Sequence, residues 1–137
     1  MNFTSQICTT KEQSERLLAL GLKKETADMM YCKTASGESI TVKDDDYLEH
    51  LDFHAWSLHR LIAMMPNGFQ DEHYRNFVLK VDSQDVSYVY NYIDDNGYGQ
   101  SDSIYVDDIY HSLYDGIIAH IKWLIKEGLF NKEYLEE

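Results

Sequence analysis

The residues best suited to chemistry lie in one short stretch, "EHLDFHAWSLHRL" at positions 49–61. Histidine nitrogens and carboxylate oxygens are ligands that zinc uses, and His50 and His54 would lie one turn apart on a continuous helix. Asp52 could supply a carboxylate to the same ion. A metal-dependent hydrolase is therefore one function that this stretch could support, with His50, Asp52 and His54 as candidate ligands.

Other features of the same stretch favour ordinary histidines. His59 lies nine residues after His50 and would point to the opposite side of a helix. Ser57 has the character of a helix start, so the three histidines do not share one helix. Neither HExxH nor CxxC occurs in the chain. We therefore expect solvated or packed histidines, with no resident metal and no other cofactor.

Acidic clusters at 44–46, 94–95 and 107–108 could also bind a cation, because carboxylates are the ligands of Mg²⁺ and Ca²⁺. The best calcium-loop alignment begins at Asp94. It places Tyr98 and Tyr105 at ligand positions, so the motif fails. We expect these clusters to be solvated turns and strand ends.

Tyrosine is in excess, with eleven in 137 residues. Tyr88, Tyr90 and Tyr92 alternate along the chain and would share one face of a strand. Such rows can stack nucleic-acid bases, but those platforms have basic surroundings. We interpret this row as a sheet face that a helix or a partner covers, which makes the three tyrosines candidate interaction residues.

The charge balance excludes several partners. The chain has 24 acidic residues against 12 lysines and arginines, a net charge of −12. Such a surface repels phosphate, so we expect neither nucleic acid nor a membrane as partner. The chain has no GxSxG motif and no Walker loop, and Cys8 and Cys32 carry no local catalytic signature. Nothing in the sequence requires an enzyme.

The elements that would position these residues begin with a helix and a hairpin. Thr10 and Gln13 form a capping box, and Gly21 is suited to the left-handed position that ends a helix. Segments 28–34 and 38–43 predict a hairpin around a glycine turn, and 44–55 has no clear assignment.

The second half repeats this order without a readable sequence repeat. A short helix begins after Ser57 and ends at Pro66. Segments 75–81 and 85–93 predict a second hairpin. A loop at 94–102 and a short fifth strand at 103–106 follow, and the last helix runs from Ser112 to Gly128.

These elements predict an α+β fold for a single domain spanning 1–137. Strands joined by tight turns pair antiparallel, and amphipathic helices need a surface to cover. We expect one antiparallel sheet of four to five strands, with about three helices packed mainly on one face. The predicted order is αββαββ(β)α.

The compartment is predicted from export signals and cysteines. The N-terminus lacks a basic and an apolar region typical of a signal peptide, and no apolar run reaches the roughly 18 residues needed to span a bilayer. Cys8 and Cys32 are expected to be reduced. The predicted location is the cytoplasm.

Four segments resemble a known group of proteins: "EQSERLLALGL" (12–22), "TADMMY" (26–31), "WSLHRLIAMMP" (56–66) and "IKWLIKEGL" (121–129). In this order and spacing they resemble an uncharacterised family of short proteins from gut bacteria, often associated with prophage or mobile elements. The resemblance implies an origin and no activity.

The leading functional expectation is a non-enzymatic accessory or protein-protein interaction domain, with another protein or a second copy as partner. The alternative is a nucleic-acid mimic that inhibits a DNA-binding enzyme, since spaced carboxylates can imitate phosphates. The metal-dependent hydrolase is the third.

Overall fold

The chain divides into two units of helix and sheet. The structure, a computed structural model, describes residues 6–106, 110 and 112–137. Unit 1 comprises Met1–Met64 and Asn131–Glu137, and unit 2 comprises Met65–Phe130. The predicted α+β class is confirmed, but the described strands form two antiparallel sheets, of three and four strands, where one was expected. The single domain stays a prediction.

The first helix of unit 1, α1 (Lys11–Ala19), begins and ends where the sequence predicts. The Thr10 hydroxyl accepts from the Gln13 amide at 3.2 Å, and the Gln13 side chain accepts from the Thr10 amide at 3.0 Å. These two bonds satisfy amides that a helix start leaves without partners. Gly21 follows with φ 103°, a conformation in which a side chain would be strained.

The three-stranded sheet of unit 1 contains a strand within segment 44–55, for which no clear assignment was predicted. β1 (Met29–Thr34) and β2 (Gly37–Val42) form the predicted hairpin. β3 (Leu51–Ala55) pairs antiparallel with the other side of β1, giving the order β2-β1-β3. A 3₁₀ helix, Asp45–His50, leads into β3. Segment 44–55 is therefore half 3₁₀ helix and half strand.

Helix α2 (Leu58–Met64) completes the core of unit 1, and its start is the predicted one. The Ser57 hydroxyl accepts from the Arg60 amide at 3.1 Å. The Asp28 carboxylate, which precedes β1, accepts from the Ser57 amide at 2.8 Å. The start of α2 is thus fixed to the start of β1. The buried residues around it are Cys8, Leu17, Leu22, Met30, Cys32, Ala55, Trp56, Leu61 and Met64.

The sheet of unit 2 has four antiparallel strands in chain order. They are β4 (Gly68–Gln70), β5 (Asn76–Val81), β6 (Val86–Ile93) and β7 (Gly99–Ser103). The β5–β6 hairpin is confirmed, and β4 was not predicted.

The last strand lies earlier than predicted. β7 occupies most of the segment expected to be a loop and ends at Ser103, so 104–106 contains no strand. The reason is the turn before it. The Asp94 carboxylate accepts from the Asn96 and Tyr98 amides at 3.0 and 2.9 Å, which folds Gly99 back against β6. Pairing with β6 therefore overrides the weak strand propensity of "GQSDS".

Helix α3 (Leu113–Lys126) packs against the unit 2 sheet and begins at the predicted cap. The Ser112 hydroxyl accepts from the Asp115 amide at 3.1 Å. A Cβ added at Gly116 would come within 2.7 Å of the Tyr110 ring, so the glycine leaves room for that ring. The buried side chains of α3 include Tyr114, Ile117, Ile118, Ile121 and Leu124. In the described part of the chain, no helix is long and apolar enough to cross a membrane.

Candidate functional site

The candidate metal ligands of unit 1 are not brought together. His50 lies beside Glu49, 3.3 Å between Nε2 and Oε1, and its side chain is 43% exposed. Asp52 lies 3.8 Å from the Lys33 ammonium. His54 follows on β3, opposite Met30. Among the described residues, no three His, Cys, Asp or Glu side chains converge in a way that could hold a metal ion.

His54 has an unusual environment of a different kind. Its Nδ1 is buried and has no hydrogen-bond partner among the residues that the structure describes. Burial lowers the pKa of His54 below its ordinary 6.5, and the positive charges of Lys43 and Lys24 lower it further. The imidazole is therefore neutral near pH 7.

We expect His54 to make unit 1 less stable in acid. Because its folded-state pKa lies below 6.5, the unfolded chain binds more protons as the pH falls below about 6.5, and the free energy of unfolding decreases. His54→Gln removes this proton uptake. Urea denaturation at a series of pH values between about 7.5 and 5 should show a smaller loss of stability in His54→Gln than in the wild type. Equal losses in the two proteins would show that His54 protonates freely in the fold.

The acidic clusters that the structure describes contain carboxylates that cap turns. Asp44 accepts from the Asp46 amide at 2.9 Å. Asp94 closes the turn before β7, where hydrogen bonds from the Tyr98 amide and the Gln100 side chain lower the pKa of its carboxyl. Asp82 closes the β5–β6 turn in the same way, because its carboxylate accepts hydrogen bonds from two backbone amides at 2.8 and 2.9 Å. The cluster at 107–108 lies outside the described residues.

The three tyrosines predicted for interaction form a row on one face of β6, and their exposure increases from Tyr88 to Tyr92. We name this row the tyrosine ladder. Tyr88 is fully buried against α3, with its ring 6.4 Å from that of His120. Its hydroxyl donates to the Pro66 carbonyl at 2.8 Å. Tyr90 is half-buried, and Tyr92 is 37% exposed and stacked on Tyr90, with 5.6 Å between centroids and 16° between planes. Only the Tyr90–Tyr92 end is accessible.

An arginine extends this accessible end. The Arg75 guanidinium lies 6.0 Å from the Tyr90 ring centroid and 5.5 Å from that of Phe77. Asp71 fixes it through a 2.7 Å contact from Arg75 Nε to Oδ2. Asp102 of β7 lies 3.9 Å from Arg75 Nη1. Both carboxylates hold the guanidinium over the rings while 40% of the Arg75 side chain stays exposed.

Cross-strand register defines the rest of the surface. Tyr90 lies opposite Asp102 and Tyr92 opposite Gln100, so these side chains share one face of the sheet. We name the set Arg75, Tyr90, Tyr92, Gln100 and Asp102 the open end. Two of its members, Tyr92 and Gln100, also line a depression of about 510 Å³ whose other lining residues lie at 91, 93, 99 and 101.

Further tyrosines are exposed around the open end in unit 2. Tyr98 and Tyr105, on either side of β7, are 69% and 81% exposed. Tyr74, next to Arg75, is 81% exposed and has φ 63°, in the left-handed region that a bulky residue adopts only under constraint. Part of the tyrosine excess therefore lies on the surface of unit 2.

Unit 1 also exposes apolar side chains, two of them on β2. Ile40 and Val42 of β2 are 40% and 68% exposed, and they lie opposite Tyr31 and Met29 of β1. This pair contains neither an exposed aromatic ring nor an arginine. It provides a comparison surface on a separate unit.

Arg75 and Asp102 were not predicted as members of the site. One signal was present, since Arg75, immediately before β5, alternates with Phe77, whose ring centroid lies 5.9 Å from that of Tyr90. Chemically, the open end offers aromatic stacking, cation–π contact and hydrogen bonds, and its five side chains include no nucleophile paired with a base. Comparisons with known proteins found no matching family model, no similar curated protein and no similar solved structure.

Proposed function

We propose that this protein is a non-enzymatic binding protein that recognises another protein through the open end. The observation that carries the proposal is the exposed Tyr92 ring, stacked on Tyr90 and continued by the Arg75 guanidinium. Tyrosine, tryptophan and arginine dominate the binding energy of protein interfaces. Here the side chains are already held in place by stacking and by Asp71, which reduces the conformational entropy lost on binding.

The other two expected functions have less support. A nucleic-acid mimic needs carboxylates concentrated on one face, whereas Asp44, Asp82 and Asp94 cap three separate turns, one in unit 1 and two in unit 2. A metal-dependent hydrolase needs converging ligands, and His50 and His54 do not take part in such a group among the described residues. A protein partner fits the net charge of −12 better than a nucleic acid or an anionic membrane does.

The cytoplasmic location is part of the same proposal. Cys8 and Cys32 are both buried and form no disulfide with each other, which suits a reducing compartment. The resemblance to gut-bacterial proteins of prophage or mobile elements stays a prediction, and the binding role does not depend on it.

The proposal can be tested with a displayed library of short random peptides selected against the full-length protein. We expect a family of related peptides to be enriched, and Tyr92→Ser to weaken their binding about tenfold, because the substitution removes an aromatic contact of hot-spot type. Fluorescence polarisation of a labelled peptide gives the affinity. Val42→Thr, on the exposed strand of unit 1, is the matched control and should leave the affinity unchanged.

Two results would contradict the proposal or change its partner. Enriched peptides that bind Tyr92→Ser as tightly as the wild type would remove the open end as the binding surface. A light-scattering mass of two copies, returned to one copy by Tyr92→Ser, would make a second copy of the chain the partner. Far-ultraviolet circular dichroism of each variant controls for folding.

A further inference from the structure

We infer that the partner of the open end is an extended peptide segment rich in lysine and arginine, which adds as a fifth strand to the free edge of β7. This inference rests on the proposed binding function and specifies the chemistry of the partner. Three observations carry it: the direction of the backbone groups of β7, the character of its edge, and the charge of the hairpin to which it belongs.

The backbone of β7 presents unused hydrogen-bonding groups. The Asp94 amide donates to the Tyr98 carbonyl at 2.9 Å, and the Ile104 amide donates to the Tyr88 carbonyl at 3.0 Å. Hydrogen-bonded pairs alternate in an antiparallel ladder, so Gln100 and Asp102 also bond to β6. The N–H and C=O groups of residues 99, 101 and 103 therefore point away from β6. The structure describes no strand beyond β7 on that side.

Of the features that normally prevent strand addition, this edge has one charged side chain, Asp102, and in the described part of the chain it lacks the others. Proteins protect edge strands with lysine, proline, a bulge or a covering element. β7 reads "GQSDS", has none of these residues, pairs with β6 in an unbroken register and has all five side chains exposed. A row of free backbone groups on a regular, uncovered strand is the feature that peptide-binding sheets use.

The negative charge of the β6–β7 hairpin favours a basic partner. Residues 86–106, which contain β6 and β7, include three aspartates and no lysine or arginine. β7 contains one of these aspartates, Asp102, and no basic residue, so two copies of β7 paired with each other would gain no opposite-charge contact. A basic segment gains such a contact and is attracted over a longer range. A second copy of this chain is therefore a poorer occupant than a basic peptide.

The alternation of side chains specifies where the basic residues lie. A residue of the added strand opposite Asp102 would share its face of the sheet, with Cβ atoms about 5 Å apart. The side chain of Asp102 is half-exposed, and its carboxylate lies 3.9 Å from Arg75 Nη1. A long basic side chain at this position can pair with Asp102 and extend across β7 toward Tyr90. The next basic residue on that face would lie opposite Gln100, beside Tyr92.

The test is an NMR titration of the isotope-labelled full-length protein with a synthetic peptide that alternates arginine with threonine or valine. The amides of residues 99, 101 and 103 should shift most, because they gain hydrogen bonds, whereas those of Gln100 and Asp102 already bond to β6. The same peptide with glutamate in place of arginine should cause no such shifts. Asp102→Asn should weaken binding about fivefold, and Asp45→Asn, an exposed acid of unit 1, should not.

The outcomes separate this inference from the proposed function. Strand addition at β7 would be overturned if the arginine peptide shifted the amides of acidic residues scattered over both units. It would also be overturned if the peptide bound equally well after methylation of its backbone amides. Library peptides that require Tyr92 but are acidic or uncharged would overturn the basic partner and leave the binding function standing. Shifts at 99, 101 and 103 that persist unchanged in Tyr92→Ser would support the edge and contradict the role of the aromatic rings.

Discussion

Trp56→Ala is expected to lower the free energy of unfolding by about 3–5 kcal/mol, the range for removing a large aromatic side chain from a core. Trp56 has no exposed surface. Its ring N–H donates to the Thr26 hydroxyl at 2.9 Å, and its backbone N–H donates to the Thr9 hydroxyl at 3.0 Å. The substitution thus leaves a cavity and removes a partner from the buried Thr26 hydroxyl.

Urea denaturation followed by circular dichroism measures this loss. Trp56→Phe keeps most of the ring and removes the N–H, so it should cost less than Trp56→Ala, about 1–2 kcal/mol. Tyr47→Ala is the matched control, since this aromatic residue of unit 1 is 52% exposed. It should change stability by less than about 0.5 kcal/mol. Similar costs for Trp56→Ala and Tyr47→Ala would mean that Trp56 is not in the core.

Tyr88→Ala and Tyr92→Ala should have opposite consequences although both tyrosines lie on the same face of the same strand. Tyr88 is fully buried and bonded to the Pro66 carbonyl, so its loss should cost about 3–5 kcal/mol of stability. Tyr92 is partly exposed, so its loss should cost below about 1 kcal/mol of stability and weaken peptide binding about tenfold.

The comparison needs one further variant and two measurements. Tyr88→Phe removes only the hydroxyl and should cost about 1 kcal/mol, because a carbonyl loses its partner while the packing is retained. Urea midpoints report stability, and peptide binding reports the open end. If Tyr92→Ala destabilised the protein as much as Tyr88→Ala, the ladder would be covered along its whole length and would have no accessible end.

Local signals predicted the starts of all three α-helices. Thr10, Ser57 and Ser112 each accept from a backbone amide three residues later, as their positions suggested. Such bonds involve only neighbouring residues, so the sequence contains all the information that they need. The two hairpins were predicted for the same reason, since a short turn fixes which strands pair.

Long-range pairing is what the sequence did not reveal. β3 lies beside β1 although β2 and a 3₁₀ helix separate them along the chain. Leu51, Phe53 and Ala55 alternate over too short a stretch to stand out. β7 has a polar sequence and is a strand only because the Asp94 turn aligns it with β6. The division into two sheets follows from pairings of this kind, which no local pattern encodes.

The residues of the site were also predictable only where local patterns define them. Alternation placed the three tyrosines on one face, as the register confirms. Which of them is accessible depends on where α3 lies along that face, since His120 packs near Tyr88 and the helix leaves Tyr92 exposed. Arg75 joins the rings through a turn organised by Asp71, a contact that spacing alone does not predict.

Nitration of tyrosines by tetranitromethane, read by mass spectrometry with and without a library-selected peptide, tests the binding role of the open end most directly. In the free protein we expect Tyr92 to be modified and the buried Tyr88 to be protected. Bound peptide should slow the nitration of Tyr92 and leave Tyr47 of unit 1 unchanged. A peptide that binds tightly while Tyr92 is nitrated at its free rate would show that the partner binds elsewhere.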